Sequence, residues 1–287
     1  MNKKRKYLLI VVLICILYLG YTYYPALNIV TGYASKNMAS GLFLANRDRL
    51  SMEKQDNGFL PVNFASYQVD TIEKSVTASL FGLMARKAIY VDGLGAVLVN
   101  DDYVKGRKFK VPNRIFSKKM LPFPYGELPQ KDTIFGEVDY DKLQKAVNNS
   151  FDEAGEKKQQ TRSVLVIYKD HIIAEKYADG FDNSSLMHGW SMTKSLTGTL
   201  YGILQRQGSI KINEKTGFEA WAEDEIQHIT YNDLLHMNSG LAWDEEYFNI
   251  SDVTKMLYLE SDMGQVQIDY QLVGEPDQLW NYSSGTT

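Results

Sequence analysis

One cysteine, Cys15, is all that this 287-residue chain contains. A disulfide framework is therefore excluded, and the four histidines His171, His188, His228 and His236 stand in none of the spacings that a zinc site uses. An excess of charge of either sign is also lacking, with 31 Lys and Arg against 35 Asp and Glu. The formal net charge is −4 beside 44% hydrophobic residues, so nothing points to nucleic acid and the chain fits one or two ordinary globular domains. No internal repeat or low-complexity segment occurs, and the 19 tyrosines are scattered without forming a stacking stripe. Nothing in the residues implies a metal or an organic cofactor.

The N-terminus does carry a long hydrophobic run. Lys3-Lys4-Arg5-Lys6 precedes an apolar stretch from Tyr7 to Tyr21, extended by Thr22, Tyr23 and Tyr24 before Pro25. A basic flank followed by a span of about 18 residues is the pattern of a membrane anchor or of a signal peptide. No small-x-small cleavage site follows closely, which favours an uncleaved anchor over secretion after cleavage. Ile14 stands where a lipoprotein signal needs a small residue, so Cys15 reads as one more apolar residue of the span. Basic N-terminal flanks stay cytoplasmic, which puts everything after Pro25 on the extracytoplasmic side.

Ser191-Met192-Thr193-Lys194 is the chemical signal of the chain. Residues three apart share a helix face, so a serine at a helix start and the lysine at i+3 come within hydrogen-bond reach, a way to arm a hydroxyl without histidine. The positive helix N-terminus favours an anion developing there. Ser191 opens the run Leu196, Leu200, Ile203 and Leu204, the spacing of an amphipathic helix closed by Gly208. The plain alternative is that Ser191 is an ordinary N-cap. Ser51-Met52-Glu53-Lys54 repeats the pattern in a polar stretch with no apolar period, and reads as surface.

Two further phrases follow in order: His236-Met237-Asn238-Ser239-Gly240-Leu241 and Trp280-Asn281-Tyr282-Ser283-Ser284-Gly285-Thr286-Thr287. Together with Gly189-Trp190-Ser191-Met192-Thr193-Lys194-Ser195 and Ser239-Gly240-Leu241-Ala242-Trp243, they resemble the class C β-lactamase-related serine hydrolases, most closely the 6-aminohexanoate-dimer-hydrolase-like branch. The resemblance covers roughly residues 136–287 by motif order, and more faintly the segment 68–100. It implies an α+β fold of the β-lactamase/DD-peptidase type, an antiparallel sheet flanked by helices. It makes Ser191 the acylated nucleophile, Lys194 the amine that helps take its proton, Tyr282 the second proton handler and Ser284 a substrate-binding residue. The usual element is Tyr-x-Asn, and Ser284 offers one donor where an amide offers two. That departure suits the named branch and argues against antibiotic hydrolysis.

Two look-alikes compete. Tyr247-Phe248-Asn249 matches Tyr-x-Asn literally, but motif context favours Tyr282. Lys215-Thr216-Gly217 spells the third motif of penicillin-recognising enzymes, yet it precedes the second motif and reads as a polar loop. The third motif proper, with one of the two backbone oxyanion donors, is expected beyond Thr287, so the chain reads as the first part of a longer enzyme whose sheet is incomplete here. Removing one such donor costs about 2.7–4 kcal/mol. Asp244, Glu245 and Glu246 read as a solvated loop, His236 as a packed or capping residue, and His188 as pointing away from Ser191.

The organisation that follows is an anchor or signal in residues 1–24, then a β-rich extension with a Pro-rich connection in 25–135, and a hydrolase domain from 136 to 287. The extension carries strand-like runs at Ser75 to Leu80 and Ala88 to Val99. Four of the seven prolines fall between Pro112 and Pro129. Tyr140, Leu143, Val147, Phe151 and Ala154 make a helical stripe begun at Asp139, and Ser163 to Tyr168 and Ile172 to Tyr177 make a hairpin about Lys169-Asp170. Thr230-Tyr231-Asn232-Asp233 is a capping box. The expected activity is hydrolysis of a small-molecule amide or ester through an acyl-enzyme. The alternatives are a cell-wall DD-peptidase or esterase of the same superfamily, or an inactive envelope binding protein.

Overall fold

A computed structural model describes residues 3–104, 106–113, 119–152, 159–222 and 225–287. In chain order the elements are α1 (Lys3–Ala39), α2 (Arg49–Ser51), β1 (Ala65–Asp70), β2 (Ser75–Leu80), β3 (Leu83–Val91) and β4 (Gly95–Leu98). They continue with α3 (Tyr140–Asn149), β5 (Ser163–Tyr168), β6 (His171–Tyr177), α4 (Met192–Arg206), α5 (Tyr231–His236), α6 (Asp252–Tyr258) and α7 (Met263–Val266). Both sheets are antiparallel, and with these helices the chain is α+β. It folds as two units, Met1–Phe109 with His188–Thr287, and Lys110–Met187.

The first unit is organised by α1. Its N-terminal part is apolar and exposed, with Ile10, Leu13, Leu17, Tyr18 and Tyr21 all facing outward. Among the described residues it is the one helix long and apolar enough to cross a membrane. The apolar run was expected to stop before Pro25, but the helix continues through Pro25 to Ala39. A proline inside a helix costs about 3 kcal/mol. Burial offsets this cost, because Ile29, Ala34, Met38 and Ala39 pack into the interior, and each large side chain contributes about 1.5–3 kcal/mol when buried. The β-rich region therefore begins only after a core helix.

That core helix lies on a four-stranded meander, β1-β2-β3-β4. Val69 pairs with Val76, Ala88 with Leu98. Burial alternates along β1, as expected of a strand with one face covered, whereas β2 is almost wholly covered. Met38, Ala39, Met52, Val76 and Ala88 form one cluster, and Ala34, Val62 and Ala78 another. The run read from Ala88 to Val99 is in fact the end of β3 and all of β4, turned at Gly93, whose φ of 77° a glycine adopts freely. A buried polar chain pins α1: Asn37 donates to Asn57 at 2.7 Å, and Asn57 donates to the Tyr67 hydroxyl at 2.9 Å. Buried amides of this kind stabilise only when fully paired.

The same unit joins these early residues to the C-terminal segment. Arg86 donates to the carbonyl of Tyr258 at 2.9 Å, and Asn100 to that of Glu260 at 3.0 Å. A side chain at Gly32 would come to 3.3 Å from the Tyr258 Cβ, so α6 sits close against α1. Capping boxes open both α5 (Thr230 with Asp233, as expected) and α6 (Ser251 with Thr254). The stripe Leu196, Leu200, Ile203 and Leu204 on α4 is helical, as its spacing predicts, but all four residues are exposed. Their periodicity reported the helix and not its burial.

The second unit is small. Asp139 caps α3 by accepting from the Lys142 N–H at 3.0 Å, and Val147 is buried on the expected stripe; Ala154 lies outside the described residues. The hairpin β5–β6 turns at Lys169-Asp170, both with positive φ (44° and 61°), which is the two-residue turn that matches strand twist.

Candidate active site

Trp190 and Ser191 make the turn into α4. Trp190 has a φ of 41°, a backbone region that costs a bulky residue about 1–3 kcal/mol and that tends to persist where function holds it. Its indole stacks on Tyr33 of α1, 6.4 Å between centroids and 12° between planes. Ser191 occupies the N-cap position of α4, but its side chain makes no capping hydrogen bond. Ser191 thus stands at the N-cap position without capping through its side chain, and its hydroxyl faces Lys194 instead. Lys194 Nζ donates to Ser191 Oγ at 3.3 Å, and to Ser284 Oγ, ninety residues further along the chain, at 3.0 Å.

Glu245 ties this arrangement together. Its half-buried carboxylate accepts from the Ser284 hydroxyl and from the Ser284 N–H at 2.8 Å, from the Trp243 indole N–H, and from the Tyr247 hydroxyl at 2.7 Å. Burial pushes its pKa up, but the hydrogen bonds from Ser284, Trp243 and Tyr247 outweigh this and hold it below the usual carboxylate range. Burial, reinforced by this carboxylate, pushes the Tyr247 hydroxyl up to about 12 against a contact with Ser284 that lowers it. Glu245 therefore departs from the solvated-loop expectation, while Asp244 and Glu246 are exposed as expected. The only sequence signal for Glu245 was its place two residues after Trp243, too short a pattern to separate it from its acidic neighbours.

The Ser284 motif is held from below. Ala242 N–H donates to the Gln271 carbonyl at 3.0 Å and Val273 N–H to that of Gly240 at 2.8 Å, which braces the segment leading to Trp243. Asn281 donates to the Trp243 carbonyl at 3.0 Å, and Ser283 to Gln267 Oε1 at 3.1 Å. A Cβ at Gly285 would meet Gln267 Oε1 at 2.3 Å and the Trp243 ring at 2.7 Å, so the glycine permits this close approach. The Ser-Gly-Leu-Ala-Trp and Tyr-Ser-Ser-Gly phrases are thus two sides of one brace.

Of the anticipated residues, Ser191, Lys194 and Ser284 come together. Ser284 spends its single hydroxyl proton on Glu245 and so accepts from Lys194. Tyr282 meets Lys194 through its ring, with Nζ 5.0 Å from the centroid, a cation–π contact. Tyr247 lines both cavities that border Ser191. His188 also lines the second of these, together with Lys36 from α1, so it does not point elsewhere, and Lys36 carried no sequence signal. Burial lowers the Lys36 pKa.

The look-alike motifs lie apart. Ser51 Oγ is held by Arg47 Nη2 at 2.6 Å, in a helical turn that the polar sequence did not announce. Lys215 pairs with Thr230 in an antiparallel bridge, and its ammonium donates to Gln227 at 3.3 Å. His236 is exposed in the last turn of α5. Among the described residues, no group of three or more His, Cys, Asp or Glu side chains could hold a metal ion.

A serine hydroxyl facing an amine, with a second hydroxyl on that amine and a carboxylate fixing that second hydroxyl, is chemically equipped for acyl transfer. No curated protein matches the chain. Residues 147–287 match the family model described as Beta-lactamase, a match that supports the β-lactamase-related serine hydrolase family for this stretch.

Proposed function

We propose that the protein is a membrane-anchored, extracytoplasmic serine hydrolase that cleaves an amide or ester through an acyl-enzyme on Ser191. The observation that carries this reading is Lys194 Nζ, 3.3 Å from Ser191 Oγ and 3.0 Å from Ser284 Oγ, beside a serine whose hydroxyl is not used for capping. The Lys194 amine takes the Ser191 proton as Oγ attacks the substrate carbonyl. The proton then passes to the leaving oxygen or nitrogen, and water cleaves the acyl ester, returning its own proton to Ser191. Tyr282 is the second proton handler, Ser284 contacts the substrate, and the α4 N-terminus stabilises negative charge developing at Ser191. The branch resembling 6-aminohexanoate-dimer hydrolases is favoured by the Tyr282-Ser283-Ser284-Gly285 phrase, and the anchor in residues 7–24 by its length and exposed apolar side chains.

The test is covalent labelling of the full chain with a fluorophosphonate. Wild type labels at Ser191 and Ser191→Ala does not; labelling retained at another serine sinks the assignment. A panel of β-lactams, short esters and linear amides then separates the named branch from a DD-peptidase or esterase.

A further inference from the structure

Ser191 sits at the meeting of two unlike cavities. One, of about 780 Å³, is lined by apolar groups from α1 and its neighbours, including Tyr23, Ile29, Val30, Phe59 and Trp190. The other, of about 380 Å³, carries Lys36, His188, Lys194 and Ser284 in its lining beside Met256 and Leu257, and it is the one of the two that holds these cationic and imidazole groups. The apolar cavity starts at Tyr23, where the exposed apolar part of α1 ends. Eighteen residues of helix rise about 27 Å, close to the hydrocarbon thickness of a bilayer, so a span over residues 7–24 delivers Tyr23 and Tyr24 to the membrane–water boundary, the level that tyrosine prefers. Around the cavity, Leu60 and Phe248 are 66% and 89% exposed. Such side chains facing outward next to an apolar span are suited to the bilayer surface.

From this continuity we infer that the substrate is a long-chain acyl ester or amide resident in the same membrane. Its hydrocarbon chain enters along α1 into the apolar cavity, its carbonyl reaches Ser191, and its polar head lies in the cavity of Lys36 and His188. The inference rests on the hydrolase reading above. Ser191 Oγ bonds to the acyl carbon, the bond to the polar head breaks, and the head leaves with the proton that Lys194 carried. Water then releases a free fatty acid and restores the Ser191 hydroxyl.

The experiment compares fluorophosphonates bearing ethyl and octyl chains on the full chain in phosphatidylcholine nanodiscs. Each methylene fully removed from water is worth about fourfold in rate, so a half-open cavity gives the octyl probe an advantage of at least about tenfold. Val30→Trp, which narrows the cavity, and Phe248→Ser, at its exposed edge, both lower the octyl-to-ethyl ratio, and ethyl labelling reports that each variant is folded. Equal rates for the two probes overturn the inference and leave the Ser191 reading standing. An octyl advantage that both variants preserve also overturns it, because partition into the lipid then accounts for the difference. Absence of labelling at Ser191 by either probe removes the hydrolase reading and this inference with it.

Discussion

Glu245→Gln is the most searching perturbation of the site. The carboxylate accepts four hydrogen bonds, three of them from side chains, and stands one atom away from the amine that faces Ser191. Glutamine keeps the shape but offers one acceptor oxygen and turns an NH₂ group toward donors. A hydrogen bond to a charged group contributes about 1.5–3 kcal/mol, and partial exposure of Glu245 discounts the sum, so a loss of about 2–3 kcal/mol is expected. If half of this is expressed in the position of Ser284 and Lys194, Ser191 labelling slows by about tenfold. The pH dependence has a definite sign. The folded-state pKa of Glu245 lies below its ordinary value, so its contribution is complete above the unfolded value, near pH 4.3, and is lost as pH falls through the folded one. Urea unfolding of wild type and Glu245→Gln, at pH 7 and again below pH 4, should give a gap that narrows on acidification. A gap that is constant with pH, together with unchanged labelling, would refute the bracing role given to this carboxylate.

Other outcomes follow from single contacts. Tyr282→Phe should slow acylation of Ser191 without altering the unfolding midpoint, and a slowing seen only in Tyr247→Phe moves the proton relay to Tyr247. Lys194→Ala should reduce labelling by at least about a hundredfold, in the range that a positioned acid–base group contributes; stopped-flow labelling measures it. Gly240→Ala should destabilise by at least about 2 kcal/mol, since φ is 77° and the new Cβ would come to 2.0 Å from the Gly274 carbonyl oxygen; an unchanged urea midpoint contradicts that geometry. Thr230→Ala removes the capping box of α5 and should cost about 1 kcal/mol by the same measurement.

What the sequence determined by itself is local. The spacing of Ser191 and Lys194 sets them on one helix face whatever surrounds them, and the Lys169-Asp170 turn and the Thr230 cap each follow from chemistry within four residues. The core half of α1 carries an i, i+3, i+4, i+7 recurrence in Ala26, Ile29, Val30 and Tyr33, but read from the sequence the span stops at Pro25, because proline is weighed locally and burial is not. Only the tertiary structure decided that the helix runs on, since the energy that carries it past Pro25 comes from a sheet that begins at Ala65. It also set Glu245, Ser284 and Lys36 around Lys194 and Ser191. Those residues are separated by tens to hundreds of positions, and no periodicity links them. Long-range burial and backbone pairing bring them together, and the sheet and brace that do so read as ordinary apolar residues in the chain.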